Sequence, residues 1–243
     1  MNEQSNAPMS LPEPAGVAGW FSTWMTAVTK PNEQTFATMA EHPDAMSNSR
    51  AFTWIFLAGT VSALISGVLQ AILQLAGFSA APGLADLFGG NADRGVAFAF
   101  GVAICSSPVA GAIGALFFAI GVGIVQWVAK MFKGTGTFSQ LAYTMAAISV
   151  PVSLVSSVLT PFSSIPFVGI CTGLVSLVVG IYAIVLELMA IKGVNKFGWG
   201  QAAGSLFLPG LVLACCILVP IAVMAGLGPT IGDTFSSINS SLP

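Results

Sequence analysis

Charge is what this sequence has least of. Of its 243 residues only 7% are Asp, Glu, Lys or Arg while 55% are hydrophobic, against about 25% charged in a typical soluble domain. A water-facing surface cannot be covered from that supply. The few charges fall in clusters, and the stretches between them are long enough to cross a hydrocarbon layer of roughly 30 Å, so bilayer replaces water as the main solvent. With 7 Lys and Arg against 9 Asp and Glu, and a formal net charge of −2, the chain has no dense cationic face for phosphate. Nucleic acid is thereby excluded as a partner.

Histidine occurs once, as His42 in a polar linker, which is too few imidazoles for a His-dependent triad or a multi-His metal site. The four cysteines, Cys105, Cys171, Cys215 and Cys216, sit inside apolar segments without the CxxC spacing of a metal site, and read as small packing residues. Gly134-Thr-Gly-Thr and Gly226-Leu-Gly match neither GxxxxGKS/T nor a GxGxxG following a strand, so turn and cap chemistry accounts for them. Catalytic residues, metal and cofactor are all expected to be absent, and the chain reads as a non-enzyme. Residues 1–15 contain Glu3 and Glu13 but no Lys, Arg or apolar core. No cleavable secretory signal is visible there, so the first span is expected to do the targeting.

What is present is a series of apolar helices. Segment 1–15, rich in Pro, Ser, Asn and Glu, reads as a disordered tail. Val17, Trp20, Phe21, Trp24, Met25 and Val28 then recur on one helical face, ending near Pro31. This helix is too short to span and is expected to lie in the membrane interface with both tryptophans at headgroup level, although a partner-binding helix would show the same pattern. A shorter helix follows at 33–40, and a polar link through Pro43 to Arg50 completes a region 16–50 on the N-terminal side.

Five spans are expected in residues 51–227, at about 51–78, 109–130, 138–160, 167–191 and 201–227, followed by a polar tail, 228–243. Gly95 to Ala129 is uncharged and far longer than one crossing needs. Ser106-Ser107-Pro108 is the expected break, leaving 95–107 as a separate approach segment. Thr137 and Gln140 have the spacing of a capping box opening the third span. Ser149, Ser153, Ser156 and Ser157 in that span are expected to face other helices. Gly169 and Gly173, with Gly114 and Gly121 of the second span, predict close helix seams, within one bundle or between chains.

Orientation follows from the cations. With five spans, Lys30, Arg50, Lys130, Lys133, Lys192 and Lys196 share the N-terminal side and only Arg94 falls opposite. Trp20, Trp24, Trp54, Trp127 and Trp199 map to the same side, as interfacial anchors do, and Phe21 joins them on the first helix. The N-terminus is therefore expected in the cytoplasm and the C-terminus outside. Glu187 is the ionisable residue well inside a span. It predicts a polar site with Gln126, Gln140 and Gln201 at similar depth, or else a side chain reaching the interface toward Lys192.

The order of these features resembles the prokaryotic branch of the Yip family, membrane proteins named for interaction with Ypt/Rab GTPases in eukaryotes. The similar residues are Trp24 with Lys30-Pro31, Thr35-Phe36, the Pro43 link, Gly134-Thr-Gly-Thr-Phe-Ser-Gln140, the internal Pro151, and Ile191-Lys192-Gly193, over about residues 20–227. The resemblance implies five spans with a cytoplasmic N-terminal region, and a prokaryotic cytoplasmic-membrane location. In eukaryotic members it implies vesicle trafficking, membrane shaping and recruitment of prenylated small GTPases. Here the N-terminal region is short and lacks an Asp-Leu-Tyr-Gly-Pro type of motif, which argues against small-GTPase binding.

Two functional readings follow. The first is a scaffold or accessory subunit whose partners are the lipid bilayer and other membrane proteins or further copies of itself. The second is a small solute or ion transporter or channel, with proline-broken helices and Glu187 and the glutamines lining a path.

Overall fold

The computed structural model describes residues 16–76, 78, 96–212, 214, 215 and 218. The tail 1–15, the loop 79–94, most of the second half of the expected fifth span and the tail 228–243 lie outside the described residues. Two short helices come first, α1 (Val17–Thr29) and α2 (Glu33–Ala40), then a 3-10 turn, Pro43–Met46. The long helices α3 (Asn48–Leu75), α4 (Val96–Met131), α5 (Phe138–Leu159) and α6 (Val168–Asn195) follow, with a 3-10 turn at Thr160–Ser164. Residues 199–212 are helical and form α7. Every described element is helical, and α3 to α6 are long and apolar enough to cross a membrane.

Local chemistry sets the helix ends. Asn32 accepts a hydrogen bond from the Thr35 amide at 2.6 Å and caps α2. Thr137 and Gln140 close a capping box on α5, each side chain meeting the other's backbone amide at 3.3 and 2.9 Å. Lys196 ends α6 in the left-handed region (φ 54°, ψ 46°) and donates its amide to the Lys192 carbonyl at 2.9 Å.

The expected break before Pro108 does not occur, so 95–107 is not a separate segment. Helix α4 runs unbroken through Pro108 for 36 residues, about 54 Å at about 1.5 Å per residue. The physical reason is local. Proline has no N–H for the carbonyl four residues back, which here belongs to Ile104. The Ser107 hydroxyl donates to that same carbonyl at 2.9 Å, and Ser107 is itself 1% exposed. A serine thus replaces the hydrogen bond its neighbour removes. Pro151 also lies within a continuous helix, as does Pro209.

Helix α3 is the hub of the packing. It runs antiparallel to α4: a Cβ on Gly59 would lie 3.1 Å from the Gly111 Cα, and one on Gly67 would lie 2.7 Å from the Ala103 Cβ. A Cβ on Gly111 would lie 2.7 Å from the Phe56 carbonyl oxygen, so glycine lets the two backbones touch. Helix α3 runs parallel to α5, with Phe52 against Phe138 at 6.4 Å between rings, Trp54 against Tyr143 at 5.0 Å, and Ser66 donating to the Ser157 carbonyl at 2.9 Å.

The glycines expected to form seams lie elsewhere. Around Gly114, Gly121 and Gly173 a Cβ would meet nothing within 4 Å among the described residues, and around Gly169 it would meet the Ser163 carbonyl of the preceding turn. Between α3 and α4 the close approaches are Gly59 to Gly111 and Gly67 to Ala103, and small residues recur every four positions on both helices, as Gly59, Ala63 and Gly67 and as Ala103, Ser107 and Gly111. That four-residue repeat of small side chains brings the same face of each helix round every turn.

Candidate functional site

The stretches that carry the family resemblance converge at one end of the bundle, where α4 and α6 finish, α3 and α5 begin, and α1 and α2 cover them. At its centre two amides pair reciprocally. Gln126 Nε2 donates to Asn195 Oδ1 at 3.1 Å, and Asn195 Nδ2 donates to Gln126 Oε1 at 3.3 Å. Gln126 also donates to the Gly136 carbonyl at 2.7 Å, and Asn195 to the Ile191 carbonyl at 3.1 Å. The Thr135 amide and hydroxyl both donate to the Asn195 carbonyl, at 3.2 and 3.3 Å. With Gln126 5% and Asn195 1% exposed, this network is buried and its members satisfy one another.

The glycines of the Gly134-Thr-Gly-Thr turn now have a reason. A Cβ on Gly134 would lie 2.5 Å from Asn195 Oδ1, and one on Gly136 would lie 2.6 Å from Val194 Cγ1 and 2.8 Å from the Val194 carbonyl. The turn is pressed directly onto the last residues of α6. Gly193 plays the same part on the other side of that helix, where a Cβ would lie 2.6 Å from the Glu33 carbonyl. Helix α2 therefore rests on the α6 backbone with Phe36 buried between them.

Polar latches reinforce this cover. Lys192 pairs with Glu33, and Lys196 pairs with Glu41 at 3.4 Å. The Tyr182 hydroxyl donates to the Val28 carbonyl at the end of α1. Arg50, in the first turn of α3, pairs with Asp44 of the 3-10 turn. His42 accepts the Asp44 amide on Nδ1 at 3.2 Å and stacks on Tyr143 with 6.1 Å between rings.

The aromatic anchors divide into two groups. Trp54 is only 1% exposed and leaves the interfacial set, because α1 folds back over it. Trp20 and Trp24 meet it edge-on with ring centroids 6.2 and 5.6 Å away. The indoles of α1 thus face the protein, and its outward apolar residues are Val17, Phe21 and Met25. Trp127 and Trp199 are exposed, and the Lys192 ammonium lies 4.6 Å above the Trp199 ring, a cation–π contact.

The expected polar site around Glu187 is not assembled. Gln126 serves the amide pair, Gln140 the α5 capping box, and Gln201 accepts the Gly198 amide at 2.9 Å to start α7. Lys192 is engaged by Glu33, and no ion pair joins it to Glu187 among the described residues. Glu187 is half-buried and makes no hydrogen bond or ion pair among the described residues. Sequence reasoning missed Asn195 altogether. Its signal was a lone amide at the end of an apolar helix, four residues after Ile191, with a glycine-rich turn elsewhere to receive it.

No curated protein and no solved structure matches the chain. The family described as the Yip1 domain does match, over residues 25–220. That interval starts within α1, includes the whole α2 cover, the Gly134 turn and the end of α6, and reaches past α7. The chain belongs to the Yip1 domain family of membrane proteins.

Proposed function

We propose that this chain is a five-span scaffold or accessory subunit of a membrane protein assembly, with its N-terminus and the cation-bearing end in the cytoplasm. The observation that carries the reading is where the polar side chains go. Gln126, Asn195 and Thr135 are engaged in bonds that hold α4, the Gly134 turn and α6 together, and Gln140 and Gln201 cap the starts of their own helices. Intramembrane polar groups that line a solute path would instead face a cavity. Four candidate spans, α3 to α6, and an apolar α7 read as the start of a fifth support the count, and the described cations share the end from which α3 begins.

On this reading α1 lies at headgroup level with Val17, Phe21 and Met25 toward lipid, while Trp20 and Trp24 tie it to the span beneath. The broad apolar faces of α4 and α6, including Phe117, Ile120, Ile170 and Leu174, meet lipid or neighbouring proteins. Purification from native membranes in mild detergent tests the assignment. A stoichiometric companion or a homo-oligomer is expected, and a lone monomer would sink it. Labelling of single cysteines at positions 133 and 196 should occur from the cytoplasmic side for both, and labelling from opposite sides would refute the topology.

A further inference from the structure

Beside the junction, at the start of α3, an open recess of ≈ 310 Å³ is lined by Trp20, Asp44, Ser47, Ser49, Arg50 and Thr53. That volume is at the lower end of small-ligand sites, which suits a headgroup and not a whole lipid. The lining combines three chemistries within a few residues. Arg50 offers a planar fork of donors suited to phosphate oxygens. Asp44 beside it offers acceptors. Both charges are part-exposed, with 39% and 27% of their side-chain surface open. Ser47, Ser49 and Thr53 add exposed hydroxyls.

Trp20 supplies the third element. Its indole Nε1 is buried without a hydrogen-bond partner, and so are those of Trp24 and Trp54 behind it. A buried indole N–H without an acceptor is costly, and of the three only Trp20 lines the recess, so an occupant with acceptors suits that wall. A bare anion suits Arg50 but is repelled by Asp44. A zwitterion fits both, because phosphate on Arg50 and ammonium on Asp44 exchange one ion pair for two at no change in net charge. A primary ammonium can donate hydrogen bonds to the carboxylate, which a trimethylammonium cannot.

We infer that this recess binds the phosphoethanolamine headgroup of a zwitterionic phospholipid, with Arg50 holding phosphate, Asp44 the ammonium, and the Trp20 side facing the ester oxygens. The inference rests on α3 beginning at the bilayer surface, as proposed above. The test uses the full chain in mild detergent, titrated with phosphatidylethanolamine, phosphatidylglycerol or soluble phosphorylethanolamine and read by native mass spectrometry. One saturable phosphatidylethanolamine is expected, with phosphatidylglycerol at least about tenfold weaker, a gap of about 1.4 kcal/mol.

Arg50→Gln should weaken binding about tenfold. Ser49→Phe fills the recess from an exposed position that places no demand on folding, and should abolish binding. Equal retention of both lipids, or unchanged binding in both variants, would overturn the inference. Equal competition by soluble phosphorylethanolamine would overturn the lipid as the source of the headgroup. None of these outcomes bears on partner co-purification or cysteine labelling, so failure here is distinct from failure of the scaffold reading.

Discussion

The two ends of α6 differ in composition and in surroundings, since its first half is uncharged and its last ten residues carry Glu187, Lys192 and Asn195. Its last ten residues bury Leu186, Ala190, Ile191, Gly193, Val194 and Asn195 under α2 and the Gly134 turn. Its first half exposes Ile170, Leu174, Leu177, Val178 and Ile181. Helix α5 sharpens the contrast, since every residue from Leu141 to Ile148 is buried. In lipid an apolar side chain gains little by leaving hydrocarbon for protein. Specific contacts made by the polar and small residues of the bonded end therefore hold it, and among the described residues the uncharged end has no amide pair or ion pair. On α6 these contacts are an amide pair, glycine-to-backbone approaches and ion pairs at the cation-bearing end.

The comparison can be broken by removing its central bond. Asn195→Leu strands the Gln126 amide in a buried setting, and should destabilise the chain by about 3 kcal/mol. Thermal unfolding in detergent, followed by size-exclusion chromatography, would show it as a clear loss of folded protein, and an unchanged profile would demote the network. Gly136→Ala pushes a methyl toward Val194 and should cost about 2 kcal/mol. The same change at Gly114, on the open side, is expected to stay within about 0.5 kcal/mol. Equal effects at the two glycines would erase the difference between the regions.

A finer cut separates the latches from the network. Glu33→Gln unpairs Lys192 at a part-exposed site and should cost less than about 1 kcal/mol. Its signature is local: faster hydrogen exchange and protease cleavage in α1 and α2, with α5 unaffected. High salt should reproduce part of that effect in the unaltered chain. Protection lost across the whole bundle would show that the cover and the spans form one cooperative unit.

Much of the architecture was legible because burial in lipid depends on runs of residues. Hydropathy places spans at 51–78, 138–160 and 167–191, and the helices run Asn48–Leu75, Phe138–Leu159 and Val168–Asn195. The Thr137 and Gln140 cap closes as its spacing predicts. Pro108 misled because the rule that proline breaks helices omits the neighbour able to replace the lost bond. Trp54 misled because an indole at a span's start anchors to headgroups only where no other element covers it. GxxxG marks a smooth helix face without naming what lies against it, so Gly114, Gly121 and Gly173 stay open to a second chain or to lipid, while four-residue repeats on α3 and α4 mark the seam within the chain. Asn195 was silent since its value depends on Gln126, a residue distant in sequence.

The Ser107 hydroxyl has a mechanical consequence. Helix α4 is the longest of the described helices, and where Pro108 leaves its backbone ladder without a rung, a single oxygen supplies a substitute. With that oxygen the two parts of α4 behave as one strut, so a push on the Lys130 end is felt beyond Gly111. Without it the same helix would carry a joint within its apolar length, and the seam with α3 would be the fulcrum about which it bends.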